Sequence, residues 1–168
     1  MLRPVTAIAV ACAFVLAGSA SASIPDPPLG GPAARRLPER LLPLTMPLHA
    51  RIGSPFGRRW GGFHAGIDIE GWARTDVHAA ASGRVTSVGW LAHYEGYGMM
   101  VVIRHGQGLV TMYAHLARSF VRQGDWVERG QLIARAGCTG SCTGTHLHFE
   151  VHLHGKPVNP MRFLKPRG

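Results

Sequence analysis

Short stretches of alternating apolar and polar residues fill the chain from about residue 47 onward. Side chains of a β-strand point to opposite faces in turn, so this period of two predicts strands with one buried face. Glycine-rich turns separate the stretches, and such close spacing favours antiparallel pairing. We therefore predict a mainly β fold, a small antiparallel β-sheet domain with little helix. The segments predicted as strands or strand pairs are GIDIE (66–70), GRVTSVGW (83–90), GMMVVIRH (98–105), LVTMYAHL (109–116), DWVERGQLIARAG (125–137) and HLHFEVHLHG (146–155).

The first 22 residues have the pattern of a secretory signal peptide. Arg3 precedes an uncharged, mostly apolar run from Val5 to Ala17, and Ala20-Ser21-Ala22 forms a small-residue cleavage site. A short membrane anchor is the alternative, but the run is short for a bilayer. No lipid anchor is expected, because Ser19 stands where a lipoprotein signal needs cysteine. Residues 23–46 are rich in proline and predict a leader or linker, followed by one domain over 47–168.

Four histidines alternate along one predicted strand. His146, His148, His152 and His154 share a parity, so they lie on one face. At a rise of about 3.3 Å per residue, His152 is roughly 13 Å from His148. We therefore expect only the first pair to share a site, and we expect His152 at the surface or at the rim of a groove.

Three short motifs contain residues suited to zinc. His64 and Asp68 form a His-x-x-x-Asp motif, His115 ends a strand, and His146 with His148 forms a His-x-His motif. A catalytic zinc takes three protein ligands and leaves one position open. Five candidates for three positions leave two imidazoles for proton transfer. Spacing alone does not decide which two these are.

The charge of the chain indicates the class of partner, and its cysteines indicate the compartment. The chain has 18 Lys and Arg against 9 Asp and Glu, which favours anionic partners. No nucleic-acid motif is present, so anionic cell-wall polymers are the preferred polyanion and a role in solubility alone is the alternative.

Removal of a signal peptide would take Cys12 and leave Cys138 and Cys142. In an exported chain this pair predicts a disulfide that stiffens the turn before His146; free thiols or metal ligands are the alternatives.

The ordered motifs resemble the lysostaphin-type (LytM-like) zinc endopeptidases, which cut the peptide part of bacterial peptidoglycan. The resemblance covers roughly residues 50 to 164. It is carried by the segments SPFGRRWGGFHAGIDI, VHAAASGRVTSVGW, YGMMVVIRHGQGLVTMYAHL, VRQGDWVERGQLIARAGCTGSCTGTHLHFEV and GKPVNPMRFL.

The resemblance implies roles for all five candidates. His64, Asp68 and His148 would be the zinc ligands, and His115 and His146 would act on water and on the transition state. It also implies an open substrate groove on the β-sheet domain. We expect a monomeric, exported enzyme in the periplasm or outside the cell, acting on peptidoglycan peptides without nucleic acid or a membrane anchor. The sequence does not identify which peptide bond is cut.

Two other functions share parts of this pattern. A non-catalytic wall-binding or amidase-activating module has the same fold, but such members lack zinc ligands that this chain keeps. A lipoyl- or biotinyl-type carrier would need a lysine at the hairpin turn of residues 124–134. The chain's two lysines, Lys156 and Lys165, lie outside that hairpin, which excludes the carrier function.

Two further residues have roles that the motifs do not assign. We expect His105 to make a structural hydrogen bond. Tyr113 is either a donor to the oxyanion or a side chain packed on the sheet.

Overall fold

The computed structural model describes residues 43–59 and 61–164. The predicted signal peptide and most of the predicted leader lie outside these residues. The described part contains short strands and two single-turn 3₁₀ helices, Glu95–Tyr97 and Pro160–Arg162. The strands are β1 (Ile52–Ser54), β2 (Gly57–Arg59), β3 (Gly62–His64), β4 (Ile67–Glu70), β5 (Asp76–His78), β6 (Gly83–Trp90), β7 (Met99–Gly106), β8 (Leu109–Ala114), β9 (Leu116–Ser119), β10 (Trp126–Val127), β11 (Leu132–Ala136), β12 (His146–Leu153) and β13 (Lys156–Val158).

Every strand pair within residues 43–59 and 61–164 is antiparallel. The main sheet runs in the order β1-β4-β12-β8-β7-β6-β10, with β13 also paired to β12. A second sheet has the order β5-β11-β9, and β2 and β3 form a separate hairpin. The predicted mainly β, antiparallel fold is confirmed. No helix among the described residues is long and apolar enough to cross a membrane.

The central strand β12 divides apolar from polar residues by parity. Leu147, Phe149 and Val151 are fully buried in the main hydrophobic core, where they meet Ile67 and Ile69 of β4. The intervening positions turn to the other face of the sheet, as a period of two requires. Burying the apolar face fixes the register, because a slip by one residue would place every imidazole in the core.

The core also includes residues from the end of the predicted leader. Leu44 is fully buried, forms an isolated parallel bridge with Leu164, and donates its backbone N–H to the carbonyl of Phe163 at 2.9 Å. Leu44 therefore contributes to the domain core from the leader side of the predicted boundary between residues 46 and 47, together with Leu48 from the domain side.

Candidate metal centre

Strands β3, β4 and β12 bring three predicted site residues together. The β12–β4 register places His148 opposite Asp68, and His64 ends the β2–β3 hairpin beside them. His148 Nδ1 lies 2.8 Å from Asp68 Oδ1, and His64 Nε2 lies 3.1 Å from that oxygen and 3.0 Å from His148 Nδ1. The three atoms thus form a nearly equilateral triangle that could hold a metal ion.

The triangle fits a zinc ion in both chemistry and size. Imidazole nitrogen and carboxylate oxygen are usual zinc ligands, at about 2.0–2.2 Å from the ion. Tetrahedral geometry then separates the ligand atoms by about 3.3 Å, close to the distances between these three. Burial alone would raise the pKa of Asp68, but contacts with the two imidazoles and Arg59 outweigh it and hold that pKa well below its usual range. The carboxylate is therefore ionised, as a ligand must be.

Neighbouring acceptors hold the outer nitrogens of both imidazoles. The Nε2 atom of His148 lies 2.8 Å from Glu150 Oε1, and the Nδ1 atom of His64 lies 2.7 Å from the carbonyl oxygen of Pro55. The inner nitrogen of each ring lies within hydrogen-bond distance of Asp68 Oδ1. A metal ion in the triangle would take the place of a proton there and bind the inner lone pairs, while the outer N–H groups donate to the two oxygens.

His115 and His146 stand together at the edge of the triangle. Their ring centroids are 4.6 Å apart, and His146 Nε2 lies 3.8 Å from Asp68 Oδ1. His115 donates from Nδ1 to the carbonyl of Thr139 at 2.8 Å, and His146 does the same to the carbonyl of Gly144 at 2.7 Å. In the neutral form of each ring, Nε2 is then the nitrogen that can accept a proton. Burial lowers the pKa of His115, which favours the neutral ring.

His115 has an unusual backbone conformation. Its φ is 59°, in the left-handed region that non-glycine residues rarely adopt. Its N–H donates to the carbonyl of Tyr97 at 2.9 Å, which holds the backbone there. Such outliers persist only where the surrounding structure enforces them, and they are concentrated at functional sites.

An open groove of about 350 Å³ contains all five predicted site residues. The model of Peptidase family M23 matches residues 62–160, which include the whole set. The chain belongs to peptidase family M23.

Members of family M23 are zinc-dependent, and relatives of this chain include both hydrolases and activators. The DD-carboxypeptidase/endopeptidase Mpg of Neisseria meningitidis is 41% identical over 126 residues, covering 71% of this chain and 28% of that protein. The murein hydrolase activator NlpD of Escherichia coli is 39% identical over 121 residues, covering 72% of this chain and 31% of that protein. The chain thus matches less than a third of the length of these two relatives.

The fold agrees with a solved M23 peptidase. The catalytic domain of lysostaphin from Staphylococcus simulans superposes with a TM-score of 0.62 at 31% identity, over 68% of this chain and 91% of that chain. The resemblance to lysostaphin-type enzymes is therefore confirmed, together with the antiparallel fold.

Glu150 was not among the residues predicted for the site from the sequence motifs. Its side chain is 1% exposed and accepts from His148 and, at 2.6 Å, from the hydroxyl of Tyr97. His152 Nε2 contacts the second carboxylate oxygen. Burial opposes ionisation, but these donors outweigh it and lower the pKa of Glu150 to about 2. The sequence feature that could have pointed to Glu150 is its parity, because it lies on the same face of the strand as the four histidines.

The structure also places three further residues that the sequence singled out, His152, Tyr113 and His105. His152, expected at the surface or at the rim of a groove, is half-buried: its side chain is 17% exposed and contacts Glu150. Tyr113 is fully buried on the core face, where its hydroxyl accepts from the N–H of Ala80 at 2.8 Å. It is a packed side chain, not an oxyanion donor. His105 contacts the carbonyl of Ser82 at 2.9 Å, in keeping with a structural role.

Cys138 and Cys142 flank a turn whose Ser141 lines the groove. The Cα atoms of Cys138 and Cys142 are 5.3 Å apart, and their sulfur atoms are in bonding contact. That separation is in the range usual for a disulfide. Three residues separate Cys142 from His146 in sequence.

Proposed function

We propose that this chain is a zinc-dependent endopeptidase that hydrolyses amide bonds in the peptide cross-links or stems of bacterial peptidoglycan. The observation that carries the proposal is the convergence of two imidazole nitrogens and a carboxylate oxygen within 3.1 Å of one another, beside two further imidazoles. This set leaves one side of the triangle open to the groove, as a catalytic zinc site requires.

The proposed ligands are His64, Asp68 and His148. When bound there, zinc supplies Lewis acidity that polarises a carbonyl and lowers the pKa of water towards about 7. Glu150 and the Pro55 carbonyl orient the two imidazoles, as described for outer-shell partners of metal-bound histidine. The ligands are then held in position before a substrate binds.

His115 and His146 are the proposed catalytic residues. Each has Nδ1–H tied to a backbone carbonyl and Nε2 free. One Nε2 accepts a proton from the attacking water and returns it to the departing amide nitrogen. The other ring takes a proton from solvent before the reaction, donates a hydrogen bond from Nε2 to the oxygen of the scissile carbonyl and keeps that proton throughout. The water and its proton are both accounted for, so no covalent intermediate with the protein is needed.

Export is part of the same proposal. A signal peptide over residues 1–22 would deliver the domain to the periplasm or the medium, where peptidoglycan is available. The excess of basic residues would assist association with anionic wall polymers. We propose that the domain acts as a monomer.

Activation of a separate amidase is the second candidate function, favoured by the 39% identity to NlpD of Escherichia coli. The two functions predict different products. Residues 23–168 would be incubated with defined peptidoglycans, and released fragments would be identified by mass spectrometry. A peptidase yields new amino termini within stems or cross-links without other proteins, and the fragments identify the bond.

The metal dependence is tested on the same substrates. We expect a chelator to stop product formation and added zinc to restore it. An activator would yield no fragments until an amidase is supplied. Hydrolysis that continues after complete removal of zinc would overturn the metallopeptidase proposal.

A further inference from the structure

The turn Cys138–Cys142 is hydrogen-bonded to the segment 96–99 and to Leu116. Its Thr139 hydroxyl donates to the carbonyl of Leu116 at 2.9 Å and accepts from the N–H of Met99 at 2.9 Å. The N–H of Ser141 donates to the carbonyl of Gly96 at 2.8 Å. The turn is therefore docked on two neighbouring segments rather than free in solvent.

Gly140 allows this close docking. Its φ is 72°, and a Cβ atom there would lie 2.4 Å from the backbone nitrogen of Gly98. A residue with a side chain would push the turn away from the 96–98 segment. The conformational freedom of glycine also means that the free turn has many alternatives to the docked form.

The same turn and the residues just after it orient the two proposed catalytic histidines. Thr139 supplies the carbonyl that accepts from His115 Nδ1, and Gly144 supplies the carbonyl that accepts from His146 Nδ1. Cys142 Sγ lies 3.8 Å from His146 Nδ1. A short covalent link across 138–142 thus restricts the backbone that carries one acceptor and leads directly to the other.

We propose that Cys138 and Cys142 form a disulfide that acts as a positioning element for His115 and His146, so that the enzyme works at full rate only in its oxidised form. This inference rests on the proposed peptidase function. The zinc triangle is built on β3, β4 and β12, outside the turn. Opening the disulfide should therefore misplace the two imidazoles without releasing the metal. A misplacement of about 1 Å can lower a rate by about 100-fold.

The first test compares the wild type with the double variant Cys138→Ser/Cys142→Ser. A phosphine reductant suits the wild type because thiols bind zinc. It is oxidised to the phosphine oxide with an oxygen from water, and the disulfide gains two electrons and two protons to give two thiols. We expect kcat to fall about 10- to 100-fold in the reduced wild type and in the double variant, with KM and bound zinc unchanged. The phosphine should have no effect on the double variant.

A second variant tests the docking without touching sulfur. Thr139→Val removes the two hydroxyl hydrogen bonds and keeps the disulfide, so we expect a fall in kcat with zinc retained. Thr139→Ser keeps the hydroxyl and should restore most of the rate. An unchanged kcat on reduction, or a loss of zinc in step with the loss of rate, would overturn the positioning role.

A readout independent of activity separates this inference from the proposed function. Nitrogen-15 NMR of the metal-free protein reports which ring nitrogen carries the proton. We expect the Nδ1–H tautomer of His115 and His146 in the oxidised protein and a mixture after reduction. If the oxidised protein hydrolyses nothing yet shows this change, the peptidase proposal fails and the positioning role stands. Identical ring signals in the two redox states would refute the positioning role.

Discussion

The two halves of strand β12 have the same alternation of histidine and apolar residues, but they meet different neighbours. In the first half, β4 lies alongside and places Asp68 opposite His148. In the second half, β13 takes that side and places Pro157 opposite His152. Only the first half therefore receives a carboxylate from the adjacent strand and, from the β2–β3 hairpin, a second imidazole. A row of histidines becomes a candidate metal site through what the adjacent strands supply.

Glu150 joins the two halves. It lies between His148 and His152 on the same face and contacts both rings. Tyr97 remains a donor to this carboxylate, because burial and the neighbouring Glu150 raise the pKa of its hydroxyl. The first half thus faces the groove and the second half acts on it only through one buried carboxylate. The loss of function caused by a substitution should therefore decrease from His148 and His146 in the first half, through Glu150, to His152 in the second half.

The largest effect is expected for His148→Ala. This change removes one of three proposed ligand atoms and leaves the triangle incomplete, so bound zinc and hydrolysis should both be lost. Zinc content after dialysis, measured by mass spectrometry, checks the first and release of peptidoglycan fragments checks the second. His154→Ala is the matched control at the exposed end of the row and should keep both. Full zinc occupancy in His148→Ala would show that the triangle is not the metal site.

The next effect separates the two members of the His-x-His motif. His146→Ala leaves the triangle intact, so zinc content should stay at the wild-type level. Removal of a general acid–base group should lower kcat by about 10²- to 10⁴-fold. Single-turnover hydrolysis of a defined cross-linked peptide measures this fall. A His146→Ala protein that loses its zinc would place His146 among the ligands and break the proposed division of roles.

The period of two predicts much of this arrangement, because one buried face fixes both the strand and its register. It identified the strands around β4, β7, β8 and β12, and it placed His146 and His148 on one face. The structure brings both together with His64, Asp68 and His115, the other predicted site residues. The roles assigned to them remain predictions.

Parity could not predict features that depend on contacts between strands or on a change of backbone direction. Tyr113 and His115 have the same parity, yet they serve opposite faces because β8 ends at Ala114 and His115 turns with a positive φ. The contact between Glu150 and His152 was missed for a different reason. Whether an acid on the polar face is solvated or buried depends on what covers it, here Tyr97, and that contact joins residues 53 positions apart.

A smaller effect is expected for Glu150→Gln. The variant keeps the shape of the side chain but removes the charge that orients His148. Loss of such outer-shell partners typically weakens metal binding about 10- to 100-fold. Competition with a chromophoric chelator measures zinc affinity. Glu70→Gln is the matched control, because Glu70 is an exposed acid on β4 paired with Arg51 and should leave zinc affinity unchanged. Equal affinities for the two variants would remove Glu150 from the description of the site.

The smallest effect is expected for His152→Ala, and it tests whether the second half of β12 reaches the site at all. The variant leaves Glu150 with His148 and Tyr97 as donors, so the carboxylate stays ionised and in place while losing one partner. Zinc affinity should therefore weaken by less than about tenfold, below the effect of Glu150→Gln. His154→Ala removes the next imidazole in the row, which is exposed, and should not differ from wild type. If the two alanine variants are indistinguishable, the contact with Glu150 contributes nothing. If His152→Ala is as impaired as His148→Ala while folding normally, the separation of the row into two halves is wrong.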